Sequence, residues 1–338
     1  MRQSEGQSVV DIALSGQLIV PSATAARAKA LDRLRLGDLL FRHLTRAAAF
    51  AVLLLLSGVI ISLIDGSIPA FKTFGLGFLV NARWNPVTEI FGALPAIYGT
   101  IITSFIAMLI AVPVGLMIAF FLTELCPQWL RRPIGIAIEL LAGIPSIIYG
   151  IWGLFIFAPF LQQTLQPFLI DTLGSVPLIS PLFAGPPYGI GILTSGLILA
   201  IMVLPFISSI TRDVFSAVPP VLKEAAYGIG CTRWEVMRNV VLPFTRVGVI
   251  GGIMLALGRA LGETMAVTFV IGNAHKISAS ILAPGTTISA SIANEFTEAV
   301  GDLYTSALIA LGLILFVITF IVLAIARYML LRIERRIG

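Results

Sequence analysis

Two charged residues stand four apart in an otherwise apolar run, LALGRALGETMAV (255–267): Arg259 and Glu263. At that spacing they share one face of a helix and reach each other. A guanidinium is a planar fork of donors that fits an oxyanion, so Arg259 can meet an anion where little else polar is present. Glu263 would temper that attraction, so that an anion passes instead of staying. The alternative is an intrahelical ion pair that neutralises itself and ties helices together. Two points weigh against a purely structural pair. Arg before Glu is the less favourable order at this spacing, and packed apolar residues usually match a buried pair in stability.

Just upstream lies a polar stretch of a different kind, EAAYGIGCTRWEVMRNVVLP (224–243). Pro219-Pro220 and Pro243 bound it and should interrupt helix at both ends. VLKEAAY favours helix, Gly228 and Gly230 supply a turn, and Thr232 with Glu235 is a capping box opening a second helix. Ala225 and Ala226 make a small, flat face on which a partner protein can dock; a helical hairpin lying on lipid headgroups is the other reading.

These residues must be positioned by membrane helices. The chain has 338 residues, 58% hydrophobic and only 12% charged, with a mean hydropathy of +1.01. Such values exclude an ordinary soluble domain, and ~10-residue alternating segments of a β-barrel are missing. The expected fold is all-α and polytopic, with six spans near 47–64, 97–122, 134–160, 189–211, 246–271 and 304–328. Small-xxx-small pairs in the fifth, Gly248/Gly252 and Gly258/Gly262, predict close contact with another span, within this chain or on a second subunit.

Charge sets the expected orientation. All Lys and Arg residues except Lys72, Arg83, Lys276 and Arg259 fall on one side of these spans. By the positive-inside rule both termini are expected in the cytoplasm. The net charge of +5 is then a topology signal, and nucleic acid is not an expected partner. The basic residues before the first span, in LDRLRLGDLLFRHLTR (31–46), suit either a helix lying on the inner leaflet or a solvated flank. Glu139, inside the predicted third span but near its end, is expected to snorkel towards the interface. The outer loops 65–96, 161–188 and 272–303 are dense in Pro, Gly and polar residues and predict ordered, non-helical surface. Cys126 and Cys231 have no metal-like spacing and read as small packing residues.

The loop resembles the EAA loop of ABC importer permeases. Glu224-Ala225-Ala226, Gly230 and Leu242-Pro243 match that family's spacing, with Val240 where the family has Ile. GRALGETMAVTFVIGN (258–273), AGIPSIIYGIWGLF (142–155) and WNPVTEIFGALPAIYGT (84–100) are similar to its phosphate-specific branch, and the GETMAV form is closer to PstC-type than to PstA-type subunits. The resemblance implies a type I ABC importer permease fold. The likeness covers about 71–328, and with the charge and hydropathy reading the chain divides into a cytoplasmic tail (1–46), a first span with its outer loop (47–96), a core (97–328) containing the coupling loop (219–243), and a cytoplasmic C-terminal tail (329–338).

It also implies a function: inorganic phosphate imported at the expense of ATP, with Arg259 and Glu263 in the phosphate path. The first loop helix would insert into a groove of an ATP-binding subunit. The implied partners are a PstA-type sister permease, two ATP-binding subunits and an extracytoplasmic phosphate-binding protein, besides the lipid bilayer around the spans. ATP with Mg²⁺ belongs to the partner subunits and no cofactor is expected here, because no lysine follows a glycine as a P-loop requires; Ala28, Phe71, Leu222 and His275 precede the four. Permeation of a different anion, or ion-coupled secondary transport through Arg259 and Glu263, are the competing readings.

Overall fold

Proline shapes these helices without ending most of them. In the computed structural model the described residues are 22–177 and 179–334, with side chains described for 37–177 and 179–332. The expectations for residues 1–21, Arg335 and Arg336 lie outside them. Four wide, π-type turns occur among the described residues, at Phe121–Leu125, Gly153–Phe157, Leu161–Leu165 and Met237–Val241. Each ends two residues before a proline: Pro127, Pro159, Pro167 and Pro243. A prolyl ring clashes with the carbonyl four residues back and donates no N–H. Widening the preceding turn gives the ring room while the helix continues. Only at Pro127 does the chain leave the helix, through extended Cys126.

The chain forms two units, Met1–Ser62 and Leu63–Gly338. The described part of the first belongs to helix α1 (Ser22–Phe74). Its apolar side chains, Phe50 and Leu55 among them, are exposed. The hydroxyls of Thr45 and Ser57 donate to the carbonyls of Phe41 (2.9 Å) and Leu53 (2.8 Å). A helix that satisfies its own polar groups and presents apolar side chains outward suits lipid. The helix that holds the expected span 47–64 is longer than it, running on to Phe74.

The second unit contains α2 (Leu94–Phe120), α3 (Gln128–Ala142), α4 (Ser146–Leu173), α5 (Ile192–Ser216), α6 (Pro220–Gly228), α7 (Arg233–Gly262), α8 (Met265–Val270), α9 (Ile288–Glu295) and α10 (Asp302–Glu334). Among the described residues six helices, α1, α2, α4, α5, α7 and α10, are long and apolar enough to cross a membrane. The third crossing corrects the expected 134–160. Gly143 and Pro145 break the chain there, so α3 is a separate amphipathic helix and the crossing is α4. Helix α4 also runs through Pro159 and Pro167, so residues 161–173 are helical where a loop is expected. The fifth crossing starts at Arg233 and stops at Gly262, not at 271.

Helix α5 is the centre, with 67% of its apolar window buried against 22–28% for the other crossings of this unit. Lipid offers no hydrophobic drive between helices, so close approach of small residues must hold them. Ala107, Ala111 and Ala200 supply part of that surface. A Cβ on Gly248 would lie 2.7 Å from Val214, and one on Gly252 2.8 Å from Ile210, so this pair seats α7 against α5 of the same chain. The second pair behaves differently: Gly258 is in ordinary contact with Leu323, and nothing lies near Gly262.

Between α8 and α9 the backbone is irregular and is held to neighbouring segments by hydrogen bonds. Gly285 N–H donates to Ile271 O (3.0 Å) and Leu193 N–H to Ile281 O (2.8 Å). Tyr98 donates to Ser278 O (3.0 Å), and Thr100 accepts from Ile288 N–H (2.9 Å). Gly99 permits this approach, because a Cβ there would stand 1.8 Å from Thr286 O.

Candidate coupling loop and translocation site

The 219–243 loop is built locally. Pro219 and Pro220 start α6, and Gly230 ends its turn at φ +93°, a conformation that favours glycine. Thr232 and Glu235 form the expected capping box: Thr232 N–H donates to Glu235 Oε2 (2.7 Å) and Glu235 N–H to Thr232 Oγ1 (3.3 Å). The expected interruption at Pro243 is absent, because the wide turn at Met237–Val241 absorbs it. The second loop helix and the fifth crossing are therefore one body, α7. Leu242 and Pro243 lie within it and are not a joint.

The flat alanine face also needs correcting. Ala225 is exposed, but Ala226 is buried against Val236, Met237 and Phe215. What α6 and its turn offer outward is Val221, Glu224, Ala225 and Ile229, the last 83% exposed. Behind this surface Lys223 Nζ donates to Glu124 Oε1 at 2.6 Å, tying α6 to the turn that ends the second crossing. Burial, and then the Glu124 carboxylate, push the Tyr227 phenol above its ordinary value. Sequence reasoning missed Lys223 and Glu124; a lysine next to the Glu-Ala-Ala triplet and an acid closing a crossing were the available signal, but their register is tertiary.

Glu139 does not snorkel from a span. It lies on α3 and accepts from Arg212 Nη2 at 2.6 Å. Arg212 reaches it because Gly135 has no side chain; a Cβ there would be 2.6 Å from Arg212 Nη1.

Arg259 and Glu263 are expected on one helix face, but they do not share a helix and do not form the alternative intrahelical pair. Helix α7 ends at Gly262, and Glu263 is extended (φ −68°, ψ 128°). Its Oε1 instead accepts from Ala266 N–H (3.3 Å), capping α8. None of the ion pairs among the described residues involves Arg259. Its side chain is exposed on the surface of this chain. Tyr149, within electrostatic reach of Arg259, donates to Leu141 O (2.9 Å) and holds the α3–α4 break closed. Helices α4 and α8 meet at Gly150, where a Cβ would stand 3.1 Å from Ala266 Cα. An exposed arginine in the last turn of an apolar crossing is costly against lipid. A water-filled path or a partner surface removes that cost, and interrupted helices in membranes line such places.

At the opposite end, Glu295 gathers three donors or partners: Trp84 Nε1 (2.7 Å), Tyr304 Oη (2.6 Å) and His275 Nε2 (2.5 Å). The Trp84 and His275 rings stack at 5.2 Å. Burial pushes the Glu295 carboxyl up, but the hydrogen bonds from His275, Tyr304 and Trp84 prevail and hold it below its ordinary value. The loop segment around Trp84 is ordered as expected, by paired hydrogen bonds between Asn85 and Ile90 (2.8 and 3.2 Å).

Residues 111–335 match the family described as binding-protein-dependent transport system inner membrane component. The chain belongs to that family. Among relatives of this inner membrane component is the phosphate transport system permease protein PstC of Mesorhizobium japonicum, 69% identical over 95% of this chain and 98% of the relative. The protein of the same name in Pasteurella multocida is 60% identical over 89% and 94%. A probable PstC of Methanocaldococcus jannaschii is 38% identical over 86% and 93%. The fold is that of solved importers: a bacterial alginate ABC transporter aligns with a TM-score of 0.56, at 19% identity, over 89% of this chain and 97% of that one. The inward-facing methionine transporter MetNI aligns at 0.52, with 15% identity, over 74% and 99%. The inner membrane component is a multi-pass cell-membrane protein, and its two candidate sites, loop and charged helix end, are joined by the continuous α7.

Proposed function

We propose that this chain is a permease subunit through which an ATP-driven importer moves inorganic phosphate across the cell membrane. The observation that carries the reading is Arg259. It is an exposed guanidinium with no carboxylate partner among the described residues, one turn before its crossing breaks. The chain holding it is 69% identical, nearly end to end, to a phosphate transport permease. Glu263 is occupied with Ala266 N–H, so Arg259 can donate its fork to a passing phosphate. The nearby carboxylate keeps the contact weak enough for release.

The distribution of Lys and Arg supports placing the loop end and both termini in the cytoplasm. There α6, with Glu224 and Ala225 outward, docks on an ATP-binding subunit. Motion received at α6 passes to the end of the second crossing through Lys223 and Glu124. It passes into α7 across the Gly230 turn, and from Arg233 to Arg259 the helix is continuous, about 40 Å at ~1.5 Å per residue. The remaining partners are a PstA-type sister permease facing Arg259, a second ATP-binding subunit and an extracytoplasmic phosphate-binding protein; affinity and selectivity reside in the last. ATP and Mg²⁺ bind the partner subunits.

The test is phosphate uptake by proteoliposomes containing the full complex, with arsenate, sulfate and phosphonate as competitors. ATP-dependent uptake that sulfate fails to suppress is expected. Uptake driven by a proton gradient without ATP would overturn the reading in favour of secondary transport, and preferential uptake of another anion would overturn the substrate.

A further inference from the structure

A cavity of about 620 Å³ opens at the loop end of the bundle, between α3, the end of α5 and the start of α6. That size is typical of sites for small molecules. Four cations and one carboxylate line it: Arg131, Arg132 and Glu139 from α3, Arg212 from α5 and Lys223 from α6. Two of the cations are already used. Arg212 pairs with Glu139 (2.6 Å) and Asp213 (3.1 Å), and Lys223 pairs with Glu124 (2.6 Å). Arg131 and Arg132 take part in none of the ion pairs among the described residues. Arg131 Nη2 donates to the Thr123 carbonyl (2.8 Å), which fixes its guanidinium at the rim without neutralising it. The wall therefore carries two uncompensated guanidinium groups, held on a scaffold of paired charges.

The setting points to a phosphate group. Neighbouring guanidinium forks match phosphate oxygens in number and geometry. Helix α3 is amphipathic and basic at its start, with Trp129 78% exposed, as in helices that lie at a membrane interface. The cavity mouth then sits at headgroup level. We propose that this cavity is a phosphate-group site, taking either the phosphodiester head of an anionic lipid or free inorganic phosphate on Arg131 and Arg132. A ligand there touches α3, the end of α5 and α6 together, so its occupancy ties the loop helix to the bundle. Neither Arg259 nor Glu263 lines the cavity, and the proposal stands whichever anion is transported.

The test uses the full-length chain carrying Arg259→Gln, so that the path does not contribute, in nanodiscs. One arm measures radiolabelled inorganic phosphate bound in discs of phosphatidylcholine alone. The other measures phosphatidylglycerol retained from mixed discs by native mass spectrometry. Retention of either ligand is expected, weakened at least about tenfold by Arg131→Gln with Arg132→Gln and partly restored by the double Lys variant, which keeps charge but loses the fork. Phosphate binding alone identifies a free ligand, and lipid retention alone identifies a headgroup. Equal retention of both ligands by the Arg and Gln chains, each eluting as a single folded species, overturns the proposal. Uptake by the full complex is a separate measurement, so failure here leaves the transport reading standing and the reverse.

Discussion

Lys223 Nζ and Glu124 Oε1 are 2.6 Å apart, with side chains only 19% and 10% exposed, although the residues are 99 positions apart in sequence: one on the loop helix, the other at the end of the second crossing. Removing one partner from a buried pair strands the other, at roughly 3–5 kcal/mol when burial is complete. Lys223→Met is therefore expected to lower Tm and to cut phosphate uptake more than ATP hydrolysis by the assembled complex. The exchange Lys223→Glu with Glu124→Lys should recover much of both, as read by thermal melts and proteoliposome uptake. Uptake unaffected by the single variant would remove the pair from the coupling route.

Arg259→Gln should reduce phosphate uptake at least about tenfold, the equivalent of one charge-assisted hydrogen bond at roughly 1.5–3 kcal/mol. The assembly should remain intact, because the side chain is exposed and unpaired within the described residues of its own chain. Glu263→Gln keeps an acceptor for Ala266 N–H, so it should preserve the α7–α8 junction and change uptake through charge alone. Uptake at equal membrane levels checks both; near-normal transport in the two variants would sink the assignment.

Glu295 predicts an acid limb in stability. Its folded carboxyl is held below its ordinary value by His275, Tyr304 and Trp84 against the push of burial. The stabilisation is therefore complete above the unfolded value and is lost as pH falls through the folded one. Melts in detergent across that acidic window should show Tm declining, and Glu295→Gln should flatten the decline while lowering Tm at neutral pH. A parallel decline in wild type and variant would assign the limb to other groups.

Gly99 and Gly262 form a matched contrast. A Cβ on Gly99 would be driven into the backbone oxygen of Thr286, whereas nothing lies within 4 Å of one on Gly262. Gly99→Ala is expected to cost more than the 1–3 kcal/mol usual for overpacking and to lower Tm by at least about 4 °C. Gly262→Ala should leave the Tm of the chain within about 1 °C, as expected of a surface substitution. Differential scanning fluorimetry on the two variants decides the matter.

The membrane class, the six crossings and the loop were legible from residue order because apolar runs, turn chemistry and a capping box are local properties. Thr232 and Glu235 show this: their spacing alone specifies the reciprocal hydrogen bonds found in the structure. The errors came where a local rule met a competing one. Pro243 reads as a helix breaker, yet a wide turn before it keeps α7 whole. Gly143 and Pro145 read as part of a crossing, yet they separate α3 from α4.

By itself the sequence determined that Arg259 and Glu263 stand in an apolar run beside a family-specific loop, because those facts depend only on composition and spacing. Only the tertiary structure decided that the two do not pair as neighbours on one helix. The backbone breaks at Glu263, and the carboxylate turns to Ala266 N–H. It also decided that Glu139 meets Arg212 and that Lys223 meets Glu124, since contacts between distant segments depend on helix register and packing depth, which no local period encodes.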